Sequence, residues 1–292
     1  MRRALALLAA ACLLAVPAGG AAAQATPAPV PVRVFRFVDQ SRIVHFRNGT
    51  RGPRTLVTYV RTPAGAGPFP LLVFAHGYRA TPGIYARLLD AWASAGYVVA
   101  APVFPLESRD APGGTDEYDL VNEPADISFV ISRLLELDAD PASPLHGLVD
   151  PTRVAVAGQS DGAEAALGVA YDSRFRDSRI RAAVILSGSL FGGRPKRFGR
   201  GSAPLLAVQG TADRINRPRA TTIYFGLASR PKFLLALLGG AHLAPYTTNG
   251  RELGVVESVS IAFLDHYLGG GSLSQLLRAG DAPGIARLTA DP

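Results

Sequence analysis

The chain has 292 residues, 48% of them hydrophobic, a formal net charge of +7 and a single cysteine, Cys12. A chain this long can bury enough surface to be held by its core alone, and the one cysteine excludes a disulfide framework. The arginines are scattered rather than collected into one stripe, and only Lys196 and Lys232 are lysines. No nucleic-acid footprint is formed; the basic balance instead favours solubility and attraction to anionic surfaces.

Residues 1–25, "MRRALALLAAACLLAVPAGGAAAQA", pair two arginines with an apolar run from Ala4 to Val16 and small residues up to Ala25. They are expected to be a cleaved signal peptide, which makes the mature protein secreted or periplasmic. The run is about 13 residues, short of the roughly 20 that span a bilayer, so no stable membrane insertion is expected. Removal of the leader takes away Arg2, Arg3 and Cys12, leaving a charge of +5 and no thiol nucleophile.

Residues 26–31 read as a proline-rich lead-in, 32–270 as one catalytic-size domain and 271–292 as a short, partly amphipathic tail. "VRVFRFV", "RIVHFRN" and "TLVTYVR" alternate apolar and polar residues, as half-exposed antiparallel strands do. After Pro70 come short continuous apolar runs: "LLVFA", "YVVAAPV", "RVAVAG", "IRAAVILSG", "PLLAVQG" and "KFLLALLG". Such runs are strands buried on both faces. Between them "GIYARLLDAWASAG", "PADISFVISRLLELDA", "GAEAALGVAY" and "GVVESVSIAFLDHYL" carry helical spacing. Alternating strands and helices predict an α/β fold with a mostly parallel central sheet flanked by helices.

Within this frame "RVAVAGQSDGAEAALGVA" sets Ser160 between Gly158 and Gly162, at the turn from a strand into a helix. In a chain with 31 glycines the G-x-S-x-G pattern is cheap, but strand, sharp turn and helix are the context a nucleophile elbow requires. Side chains at Gly158 and Gly162 would collide with the neighbouring strand and helix. The bland alternative is a serine that merely caps the helix.

A serine nucleophile needs a base. Of the five histidines, His45 lies in an early strand, His146 in a turn-rich loop and His266 in the last long helix; His76 follows "LLVFA". His242 follows the last apolar strand, at the sheet edge where open α/β sheets place their sites, and is the expected base. Asp213, after "PLLAVQG", is the expected acceptor for its imidazole; Asp161 reads instead as an acid in a helix's first turn, and Asp265 as a helix-surface acid. The order Ser160, Asp213, His242 is that of the α/β-hydrolase fold. The oxyanion donors are expected to be the backbone N–H groups of Asp161 and Tyr78, with His76 and Gly77 shaping the loop beneath; His76 also reads as a plain turn residue. No metal or cofactor is implied.

"FAHGY", "GQSDGA", "QGTAD", "GGAHLAPY" and "NEPADISFVISRL" resemble secreted bacterial serine esterases of the α/β-hydrolase superfamily, grouped with chlorophyllase, platelet-activating-factor acetylhydrolase and polyester-degrading cutinases. The resemblance implies Ser160 as nucleophile, His242 as base, Asp213 as its partner and the Tyr78 and Asp161 amides as oxyanion hole. It implies a carboxylic-ester hydrolase, its substrate bulky, lipidic or polymeric; acyl transfer by the same residues is the alternative. Ser160 stands where dienelactone hydrolases carry cysteine, and "SGSLFGG" lacks the tryptophan usual in polyester-degrading cutinases. The only tryptophan, Trp92, falls in an early helix. The insert between "ILSG" and "PLLAVQG" is too short for a lid domain, and its Arg194, Lys196, Arg197 and Arg200 read as a solvated loop or an attractor of anions.

Overall fold

The six apolar runs after Pro70 fold as the parallel centre of a nine-stranded sheet. The structure, a computed structural model, describes residues 30–193, 198 and 202–292. The expected leader, most of the lead-in and the basic residues Arg194, Lys196, Arg197 and Arg200 lie outside these. In chain order the strands are β1 (Val32–His45), β2 (Arg51–Arg61), β3 (Phe69–Ala75), β4 (Val98–Val103), β5 (Val149–Gln159), β6 (Ile180–Leu186), β7 (Leu205–Gly210), β8 (Lys232–Leu237) and β9 (Ala286–Asp291). They lie side by side as β1-β2-β4-β3-β5-β6-β7-β8-β9. β4 through β8 run parallel, and the edges at β1-β2 and β9 are antiparallel.

Helices α1 (Ala86–Ser94), α2 (Glu123–Ala139), α3 (Asp161–Tyr171), α4 (Pro218–Leu227), α5 (Ala244–Thr247), α6 (Arg251–Leu264) and α7 (Leu273–Ala279) cover both faces. Alternate residues of β3 enter opposite cores. Leu71 and Val73 join residues of α2, α3 and α4, whereas Leu72 and Phe74 join residues of α1 and α6. Burial on both faces is why these strands read as unbroken apolar runs. Trp92 is fully buried, and its indole N–H donates to Ser260 Oγ at 2.8 Å, tying α1 to α6. This is the α/β-hydrolase fold. The β6–β7 connection, residues 187–204, leaves no room for a large cap.

Two details differ from the pattern reading. "VRVFRFV" and "RIVHFRN" are one 14-residue strand, whose register shifts between Asp39 and Ile43. The Asp39 carboxylate accepts bonds from the Ser41 N–H and from Arg42 Nε, so the bulge is satisfied locally. Beyond residue 271, the apparent tail adds α7 and β9, and β9 pairs along the whole of β8. β9 is an edge strand with one covered face, so it lacks the apolar run that marks the central strands.

One buried charge cluster ties β2 to α2 and to the turn before it. Arg54 on β2 donates to both oxygens of Asp126 on α2, each at 2.6 Å, and to both oxygens of Asp119 at 2.9 and 2.7 Å. All three residues are at most 5% exposed. Removing the cation would leave Asp126 to Arg42 and Asp119 to the Asn122 amide, one buried positive charge short for two buried carboxylates. Arg54→Ala is therefore expected to destabilise the fold by about 3–5 kcal/mol, read as a lower urea midpoint. A midpoint within error of wild type would refute this account of the cluster.

Candidate active site

β5 ends at Gln159, and the chain turns straight into α3 through Ser160, which takes φ 57° and ψ −122°. A non-glycine residue holds such a conformation only when its surroundings over-determine it. Ser160 N–H is held by Leu186 O at 3.0 Å, and Ser160 O accepts from the Ala163 and Glu164 N–H groups. The flanking glycines make the turn sterically possible. A Cβ at Gly158 would lie 2.1 Å from Gly162 O, and one at Gly162 would lie 2.2 Å from Ala75 O at the end of β3.

Ser160 occupies the cap position of α3, yet its side chain makes no capping bond. Its Oγ lies 2.9 Å from His242 Nε2, and His242 Nδ1 lies 2.8 Å from Asp213 Oδ2. Residues 160, 213 and 242, each beyond the C-terminal end of a parallel strand, thus form one hydrogen-bonded chain. With Nδ1–H donating to the carboxylate, Nε2 is left as the acceptor that faces the serine hydroxyl. Asp213 is 3% exposed; its Oδ1 accepts the Ile215 N–H at 2.9 Å.

Two backbone N–H groups near the serine are without an internal acceptor among the described residues. The Asp161 N–H opens α3, where helix geometry leaves amides without an internal partner. Among the described residues neither the Asp161 nor the Tyr78 N–H donates a hydrogen bond within the protein. Gly77 brings the loop after β3 against the elbow: a Cβ there would sit 3.0 Å from Ser160 Cβ. His76 holds that loop. Its Nδ1–H donates to Gly77 O at 2.9 Å, and its Nε2 accepts the Phe104 N–H at 3.1 Å. Complete burial pushes its pKa down to about 4, so it stays neutral and serves as a strut.

Residues that pattern reading passed over orient this chain. Gln159 donates to His242 O at 3.0 Å and accepts from Tyr85 OH at 2.7 Å. Gln209 donates to Asp213 Oδ2 at 3.2 Å and accepts from Thr221 Oγ1 at 2.6 Å. Each glutamine is the lone polar residue near the end of an apolar strand, "VAVAGQ" and "LLAVQG", and that contrast was the available signal. His45, His146 and His266 are not in this cluster; His146 and His266 bond to Asp138 O and Gly271 O. Among the described residues, no three His, Cys, Asp or Glu side chains are grouped to hold a metal ion, and no helix is long and apolar enough to cross a membrane.

The sequence profile of the chlorophyllase family matches residues 36–187, just over half of the chain. The chain belongs to the chlorophyllase family. No curated protein matches it. The chlorophyllase-family segment runs from β1 to the end of β6 and contains His76, Gly77, Tyr78, Ser160 and Asp161; Asp213 and His242 lie beyond it.

Buried acidic side chains interact with Asp161 at the elbow. Glu107 and Glu123 are both fully buried, interact with each other, and have no hydrogen-bond donor on any carboxyl oxygen among the described residues. Burial, then the neighbouring carboxylates, push Glu107 up to about 9 and Glu123 well above its ordinary value. The folded protein therefore keeps a proton that the unfolded chain releases near pH 4.5, so stability falls as pH rises from there toward 9. Glu107→Gln cannot lose that proton. Its urea midpoint is expected to exceed that of wild type at pH 8 and to do so by much less at pH 5. An advantage that does not grow with pH would exclude a proton held on Glu107.

Proposed function

We propose that this protein hydrolyses carboxylic esters through an acyl-enzyme on Ser160, and that it works outside the cytoplasm once residues 1–25 are removed. The observation that carries the reading is the chain Ser160 Oγ–His242 Nε2–Asp213 at 2.9 and 2.8 Å on a backbone turn strained at the serine. Ser160 Oγ attacks the ester carbonyl as its proton passes to His242 Nε2. Asp213 holds the tautomer and stabilises the imidazolium. The Tyr78 and Asp161 amides receive the oxyanion, an interaction worth on the order of a hundred- to a thousandfold per donor in turnover. Collapse of the tetrahedral adduct gives the imidazolium proton to the leaving alcohol. Water, deprotonated by His242, then releases the acid and restores Ser160.

The rim supports an ester with an apolar part. Tyr78, Ile215 and Leu243, on the loops after β3, β7 and β8 and within two residues of Gly77, Asp213 and His242, are 37%, 71% and 39% exposed. Large apolar side chains left in solvent on such loops are suited to an acyl chain or an apolar alcohol.

The direct test is turnover of p-nitrophenyl esters from acetate to palmitate by the wild type, Ser160→Ala and Asp213→Asn. Wild type is expected to be active, and each variant to lose on the order of 10⁴-fold in kcat with the fold intact. Turnover that survives Ser160→Ala, or a folded wild type inactive on every ester, would refute the proposal.

A further inference from the structure

Asp161 opens α3, where an acid suits the helix dipole. Its carboxyl does more than that position requires. Oδ1 lies 3.5 Å from Ser160 Oγ, whereas Oδ2 is buried and has no hydrogen-bond donor among the described residues. Groups on five segments interact electrostatically with it: Glu117 on the turn before α2, Glu107 after β4, Glu164 on α3, Tyr85 before α1, and His242 after β8. Only His242 carries positive charge, and in the reaction proposed above it does so transiently.

A carboxylate at this point is the wrong sign for a developing oxyanion, and its desolvation is offset by no arginine or lysine ion pair among the described residues. Burial, then Glu117, raise its pKa only to about 6, so it is charged at neutral pH. Glu107 and Glu164, raised by burial to about 9 and about 8, are largely protonated there. The uncompensated charge is therefore concentrated on Asp161, one hydrogen-bond length from the reacting oxygen. A positive group brought by the substrate would offset it.

We propose that Asp161 is a specificity-determining residue, which selects esters bearing a fixed cation within a few bonds of the scissile carbonyl and rejects anionic ones. This rests on the Ser160 reading above. It joins the apolar rim to a charged seat, so the favoured substrate is a cationic amphiphilic ester, such as an acyl ester of a quaternary amino alcohol.

The test compares kcat/KM of the full-length protein and Asp161→Asn within isosteric pairs. Butyrylcholine and its carbon isostere, with tert-butyl replacing trimethylammonium, place the charge on the alcohol. The p-nitrophenyl ester of γ-(trimethylammonio)butyrate and its carbon isostere place it on the acyl group; the γ-sulfobutyrate ester supplies the anion. At pH 8 the wild type is expected to prefer the cation about tenfold or more in at least one pair and to handle the sulfonate worst. In Asp161→Asn the ratio falls to within about twofold, because the amide keeps the backbone N–H and lacks the charge. Acidification of wild type from pH 8 to pH 5 has the same effect on the ratio, in which any loss common to both members of a pair cancels. No cation preference in either pair overturns the proposal. So does a preference unchanged in Asp161→Asn, or a uniform loss on all esters, which would assign Asp161 to backing the imidazolium. If even the neutral esters are not turned over, the ester reading fails, and calorimetric binding of choline decides the charge instead. Tighter binding to wild type than to Asp161→Asn at pH 8 supports the seat; equal binding overturns it.

Discussion

Everything at the site hangs on a backbone that only its surroundings can hold. Ser160 sits at φ 57°, a region a residue with a side chain enters at a cost of order 1–3 kcal/mol. The sheet on either side leaves no alternative. β5 is hydrogen-bonded to β3 and to β6, Ser160 N–H is anchored on Leu186, and the start of α3 is packed so closely on the end of β3 that only glycine fits at position 162. The strain is thus met by the packing of the central parallel strands, and the hydroxyl is presented at their C-terminal edge as a consequence.

From that fixed point the site divides into two electrostatic halves. On one side Asp213 is buried, oriented by Gln209 and the Ile215 amide, and bonded to His242; Gln159 clamps the backbone of His242 in turn. Each polar atom there has a partner, as a rigid polar network in a low-dielectric setting requires. On the other side Asp161, Glu107 and Glu123 carry carboxyl oxygens without donors. There the protein stores unmet polarity beside the Ser160 hydroxyl, and the two conditions that relieve it are a proton or a cation. Arg54 shows the contrast: where a cation is supplied from within, as to Asp119 and Asp126, the same acidic segment becomes a structural tie.

Much of this was legible before any coordinates. Two-sided burial makes a strand's sequence continuously apolar, so the central sheet and its alternation with helices could be read directly, and the C-terminal ends of those strands located Ser160, Asp213 and His242 as candidates. Gln159 and Gln209 were harder because a single polar residue closing an apolar strand is also an ordinary way to end one. The β9 edge and the joined β1 were hidden for a related reason: one-sided burial and a bulge both dilute the pattern. Glu107 and Glu123 gave no sign at all. They are 16 residues apart in segments rich in other acids, and nothing in their spacing says that both lose solvent.

The amino-acid sequence by itself determined the α/β layering, the elbow and the set of residues available for chemistry, because periodicity, glycine placement and side-chain type are local properties. Only the tertiary structure decided distances, burial and charge balance. It set His242 at 2.9 Å from Ser160, made His76 a neutral strut, and brought the carboxyl of Asp161, with one oxygen buried and without a donor among the described residues, to 3.5 Å from the Ser160 hydroxyl. Those properties depend on which segments exclude water from one another, and that is fixed by long-range packing rather than by any stretch of chain read alone.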